Sequence, residues 1–171
     1  MGERLEPSQW YASLPSFLSS ASALITDPSG GSVLAVKPNY RDHWNVPGGI
    51  MEAGEPPHLC CAREVAEELG FELSLGRLLV VDWVPPTELR KAWFGFLFDG
   101  GVMDDPSRIS LQSEELEEFA FVARTDLRSR LTANTADRVE AALLARKSGG
   151  VAYLFNGAVV QHASPKVPRP T

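Results

Sequence analysis

Glu64, Glu67 and Glu68 stand at i, i+3 and i+4, in a stretch that also supplies Glu55, Arg63 and the pair Gly48-Gly49. On a helix those spacings put the three carboxylates on one face. Like charges this close repel: at ~4 Å, each pair costs about 4 kcal/mol at an effective dielectric near 20. Either the face is splayed into solvent or a cation sits on it. A cluster of hard oxygen ligands suits Mg²⁺ or Mn²⁺, and such ions bridge to phosphates. A glutamate-rich face standing alone is most often solvated surface. Here it has company. Gly48-Gly49 offers a loop without side chains, where backbone groups can approach a ligand. Glu55 lies at the helix entrance, and Arg63 sits beside Glu64, where a guanidinium can hold a carboxylate in one orientation.

A helix is needed to present these groups, and the sequence provides one. Pro56 and Pro57 can open it, because a missing N–H costs nothing in a first turn. Leu59, Ala62, Val65, Ala66 and Leu69 recur at helical spacing as an apolar face, and Gly70 ends the helix. Upstream, a short helix is expected around Ser8–Ser13. Ala21–Thr26 and Ser32–Val36 read as a hairpin turning at Asp27-Pro28-Ser29-Gly30-Gly31, followed by a loop from Lys37 to Asn45. Downstream, Arg77–Val84 and Lys91–Phe98 read as strands joined through Pro85-Pro86, and Phe119–Ala123 as another. Asn134 is the expected cap of a last helix through Lys147, with Gly149 after it. Val151–Val160 suggests a short hairpin. Strands at both ends around one central helix imply a mixed sheet packed between helices.

The bulk numbers narrow the function class. The 171 residues fit one domain, expected over 1–163, with a proline-rich loose tail over 164–171. No apolar run is long enough to span a membrane, and residues Met1 to Trp10, without a basic start followed by an apolar segment, lead one to expect no secretory signal. The adjacent Cys60 and Cys61 have neither a second cluster for zinc nor a geometry for pairing, and read as reduced thiols of a cytoplasmic protein. A net charge of −6 argues against a general nucleic-acid binder. An acidic enzyme can still take a phosphorylated substrate if metal ions carry the positive charge.

The stretch Gly48–Phe71 resembles the Nudix box: Gly, five residues, Glu, seven residues, Arg-Glu, an aliphatic residue, any residue, Glu-Glu, any residue, Gly and a final apolar residue. Gly49, Glu55, Arg63, Glu64, Val65, Glu67, Glu68, Gly70 and Phe71 meet it, with an aromatic residue at the last position as the one departure. With each required residue type near ~7% of average usage, a chance match at a given start is on the order of one in a hundred million. Val33–Val36 with Trp44–Gly49 is similar to the strand and turn that precede the box, and Glu115–Val122 to the acidic stretch and strand that follow it.

The resemblance implies an α/β fold, a Nudix-type α/β/α sandwich with a mixed β-sheet. It implies a metal-dependent pyrophosphohydrolase that cuts a phosphoanhydride bond in a nucleoside diphosphate derivative or nucleoside triphosphate by water attack on phosphorus. Glu64, Glu67, Glu68 and the Gly48 carbonyl would hold Mg²⁺ or Mn²⁺, while Glu55 and Arg63 support the loop. Partners would be a small-molecule diphosphate and a second copy of the chain, with no nucleic acid and no membrane. The general base lies in the box or among Glu114, Glu115, Glu117 and Glu118; similarity around Phe121 favours Glu115 and Glu118, and an acidic surface turn is the competing reading. Tyr40, Arg41, Trp44 and Gly49 are expected at the substrate, Arg41 for phosphate and an aromatic ring for stacking on a base. Trp83 and Trp93 read as core, His43, His58 and His162 as surface, and Asp82 as either a buried anchor or a ligand contact. Two other functions compete: a Nudix-like nucleotide sensor without catalysis, which loss of box glutamates would favour, and capped-RNA processing, which the acidic balance disfavours.

Overall fold

The computed structural model describes residues 6–160. The tail expected over 164–171 and His162 lie outside them. Helix α1 spans Pro7–Ser13. Strands β1 (Leu18–Thr26) and β2 (Ser32–Pro38) form the expected antiparallel hairpin, with Thr26 opposite Val33. Asp27 shapes the turn by accepting from the Ser32 N–H and the Ser29 hydroxyl.

Alternation along these strands sorts side chains between two cores. Ala21, Ala23 and Ile25 of β1, with Leu34 and Val36 of β2, join one cluster; Leu24, Val33 and Ala35 join the other. The short strand β3 (Gly48–Ile50) pairs antiparallel with β1 through Ser20–Ile50, Ala21–Gly49 and Ser22–Gly48. Helix α2 (Pro57–Leu69) follows at once and packs on the first cluster. Its buried face is Cys60, Cys61, Val65 and Leu69. This corrects the expected stripe: Leu59 is 53% exposed, because the α2 residues facing the sheet fall at the 61, 65, 69 spacing, with Cys60 beside them.

The two strands expected on either side of Pro85-Pro86 are β4 (Leu78–Val84) and β5 (Trp93–Val102), and they pair antiparallel. Strand β6 (Leu116–Ala123) starts earlier than the apolar run at Phe119, because Glu117 and Glu118 point outward from an edge strand paired to β2. After the single-turn helix α3 (Leu127–Arg130) comes α4 (Ala133–Ser148), and then the hairpin β7 (Ala152–Phe155) and β8 (Ala158–Val159). Thr132, rather than Asn134, caps α4 by accepting from the Thr135 N–H. The order across the sheet is β6-β2-β1-β5-β4-β7-β8, with β3 on β1. Parallel pairings of β1 with β5 and of β4 with β7 make it mixed. Helix α2 covers one face and α4 the other, through Ala136, Val139, Ala142 and Ala145. This is the α/β/α sandwich expected from the sequence.

Candidate active site

The box begins on β3. Gly48 has φ +138° and donates its N–H to Glu68 Oε2 at 2.8 Å. A Cβ there would overlap the Ala21 carbonyl and Ser22 of β1, so glycine is required by both angle and space. A Cβ on Gly49 would overlap the Glu64 carboxyl instead. The missing side chains are thus what allow two glutamates of α2 to reach the backbone of β3.

Arg63 organises the rest. Its Nε and Nη2 donate to the two oxygens of Glu55 at 2.9 and 3.0 Å, a bidentate pair between loop and helix. Its Nη1 reaches Glu67 at 2.9 Å and Glu64 at 3.0 Å. Glu55 also accepts from the Glu52 N–H and closes the loop on itself. The Arg63 bond holds the Glu55 carboxyl down to about 2, and Glu55 in turn raises Arg63.

The other carboxyls move the opposite way. Burial pushes Glu68 up to about 8; the Gly48 N–H opposes this, and the nearby charges of Glu64, Glu115 and Glu67 add to it. Burial also raises Glu64, against the pull of Arg63. A buried carboxyl surrounded by carboxylates is short of positive charge. Among the described residues no three acidic, histidine or cysteine side chains converge tightly on one point. Glu67 is turned out to Arg63 and Glu68 in to Gly48. The donor set nevertheless fits a hard divalent cation: three carboxylates within two turns of one helix, one of them buried without a matching cation.

The charge of Glu115, in the loop before β6, adds to the upward push on both Glu64 and Glu68. The loop before β6 is tied to the end of α2 by the Ser110 N–H to Leu69 O and the Gln112 N–H to Glu68 O, and the Glu115 carbonyl accepts from the Asn39 N–H. Glu118 is placed elsewhere. It lies opposite Lys37 on β2 and lines a separate polar hollow with Asp42, Ser129 and Arg130.

On the α4 side of the sheet, a cavity of about 430 Å³ opens against Gly48 and Gly49. Tyr40 and Arg41 line it, as the sequence suggested, and so does His43, which had read as plain surface. Trp44 does not. It is 4% exposed, packs in the α4 core and carries the Arg130 guanidinium on its ring, because the bridge between Trp44 and Leu131 turns it inward. Sequence reasoning missed Arg90 and Arg138, and took Trp93 for core; all three line the cavity. Asp82 resolves as a buried anchor. It is fully buried and accepts from Arg138 Nε and Nη2 at 3.1 and 2.8 Å, and from the Gly157 N–H at 3.1 Å. Cys60 and Cys61 are buried within the helix packing, which pushes their thiols up to about 11 and about 12.

Known proteins share both the motif and the fold. The NUDIX domain family model matches residues 17–143. An ADP-ribose pyrophosphatase of Mycobacterium tuberculosis is 50% identical over 41 residues, which cover 23% of this chain and 20% of that protein. Diphosphoinositol polyphosphate phosphohydrolase 3-alpha of Mus musculus is 49% identical over 49 residues, 29% of this chain and 30% of that one. The matches therefore span less than a third of these relatives' length. Among solved structures, a UDP-X diphosphatase superposes with TM-score 0.68 at 21% identity, covering 88% of this chain and 76% of that one. A MutT protein of Methanosarcina mazei Go1 does so with TM-score 0.62 at 26% identity, covering 78% and 95%. A family model matched over most of the chain, on a sandwich whose glycine strand and glutamate helix meet as described, makes this chain a member of the Nudix hydrolase family.

Proposed function

We propose that the chain is a Mg²⁺- or Mn²⁺-dependent pyrophosphohydrolase that cleaves a phosphoanhydride bond in a nucleoside diphosphate derivative or nucleoside triphosphate. The observation that carries this reading is the buried, charge-starved Glu68 beside Glu64, set against a glycine strand that floors an open cavity. Glu64, Glu67 and Glu68 would hold the ions, with the Gly48 backbone beside them. When bound, such ions neutralise the diphosphate and acidify a water.

The chain's own groups supply the remainder. The Glu55–Arg63 pair fixes the loop to the helix, so the carboxylates keep their positions as the substrate arrives. Arg63 can let go of Glu64 and Glu67 while keeping both bonds to Glu55. Glu115 takes the proton from the attacking water; the reach of its charge to Glu64 and Glu68, with Glu118 facing Lys37 instead, supports it over Glu118. The diphosphate lies over Gly48-Gly49, with the rest of the substrate in the cavity between Tyr40 and Trp93. Two buried, unpaired thiols suit a reducing, cytoplasmic setting.

A phosphate-release screen tests the reading. Nucleoside triphosphates, nucleotide sugars, dinucleotides and non-nucleotide diphosphates are offered with Mg²⁺ or Mn²⁺ to wild type and to a Glu67→Gln, Glu68→Gln double variant. Turnover of one class, lost in the variant, is expected. Turnover of none overturns the proposal.

A further inference from the structure

The cavity above the glycine strand is electropositive inside an acidic protein. Arg41, Arg90 and Arg138 line it, and among the described residues no Asp or Glu does. The chain as a whole carries −6. Among the described residues, the carboxylate that meets this wall from behind is Asp82, which engages Nε and Nη2 of Arg138 and leaves Nη1 for a further acceptor. Arg90 lies over the Trp93 ring at 5.1 Å. Arg90 Nη1 and Trp93 Nε1 are both buried donors without a partner among the described residues. Orphaned donors are costly to bury, so two on one wall mark a place where an acceptor belongs. The polar groups Thr132, Asn134 and Thr135 at the start of α4 line the same space.

We propose that this wall recognises a second anionic group on the substrate, beyond the diphosphate, with Arg90 and Arg138 as its specificity determinants and Trp93 Nε1 as an added donor. The inference rests on the hydrolase reading for the diphosphate and adds the chemistry of the part that is not cut. The shared chemistry is an oxygen anion, which a phosphate or a carboxylate can supply. A guanidinium oriented by a buried Asp82 meets such a group in a fixed plane.

Equilibrium binding by calorimetry, with EDTA present, uses two matched pairs of probes. ADP-ribose is compared with its 2′-phosphate, and UDP-glucose with UDP-glucuronate. The charged member of at least one pair should bind wild type about tenfold tighter. Which pair shows this tells phosphate from carboxylate. Arg90→Gln and Arg138→Gln should each remove most of the preference, and Arg90→Lys should restore part of it. Should Arg138→Gln fail to fold, Arg90→Gln in its exposed loop decides alone. Equal affinity within both pairs overturns the proposal, as does a preference that survives in every folded Gln variant. Turnover is not the readout: absent hydrolysis would strike the hydrolase reading, whereas equal binding with intact hydrolysis would strike this proposal alone.

Discussion

Two glutamates of the box illustrate opposite uses of a carboxyl. Glu55 is held charged by the Arg63 fork, and its carboxyl sits at about 2 instead of the ordinary 4.5. A depressed value adds stability that is complete above 4.5 and is lost as pH falls through about 2. Urea denaturation should therefore show Glu55→Gln less stable than wild type at pH 7, with the two converging by pH 2. Glu68 is the reverse. Its carboxyl is raised to about 8, so without metal the fold bears a cost for the charged form at neutral pH. Glu68→Gln should stabilise the metal-free protein by about 1–3 kcal/mol at pH 7, while abolishing metal-dependent turnover. Isothermal denaturation in EDTA, beside an activity assay, checks both halves. Both glutamates are legible in the sequence, because the box pattern fixes their residue type and their spacing from Gly49. Arg90 and Arg138 are not legible: only the sheet brings the β4–β5 connection beside α4, and neither residue sits in a pattern.

At the level of elements, the contact between β3 and α2 sets the geometry, and its two glycines are not equivalent. Gly48→Ala would drive a methyl into the β1 backbone, which cannot yield; a loss of roughly 2–4 kcal/mol is expected in thermal or urea unfolding. Gly49→Ala would meet the flexible end of Glu64, so the fold should survive with under about 1 kcal/mol lost, while kcat falls at least about tenfold. Equal stability losses in both variants would contradict this account. The box helix itself was foreseen, along with its proline start and its glycine end. Its buried face is harder to read, because Leu59 outranks cysteine on hydropathy while Cys60 and Cys61 are the pair buried against the sheet. β3 escaped notice because three residues containing two glycines carry no strand signal. Sequence alone points Trp44 at the substrate, since an aromatic loop ahead of such a box can reach the cleft; the bridge that buries it is a tertiary fact.

Across the whole molecule, Asp82 ties three distant pieces together: β4, the middle of α4 and the β7–β8 turn. Asp82→Asn would leave Arg138 without its charge partner in a half-closed wall. About 3 kcal/mol of stability should be lost, with faster amide exchange in Tyr153–Phe155 as well as in α4. Exchange changing in α4 alone would show that the hairpin is held by its ladder to β4 and not by the aspartate. That same anchor imposes an order on synthesis. As the chain emerges from its N-terminus, β4 and the glutamate helix are available long before Arg138 and Gly157, and until both arrive Asp82 has a carboxylate to solvate and nowhere to bury it. The half of the molecule that carries the glutamate helix can thus assemble as a nascent chain, while the arginine wall of the cavity closes only when β7 slots in beside β4. A chain stalled before residue 157 would present its glutamate helix with the arginine wall still unassembled.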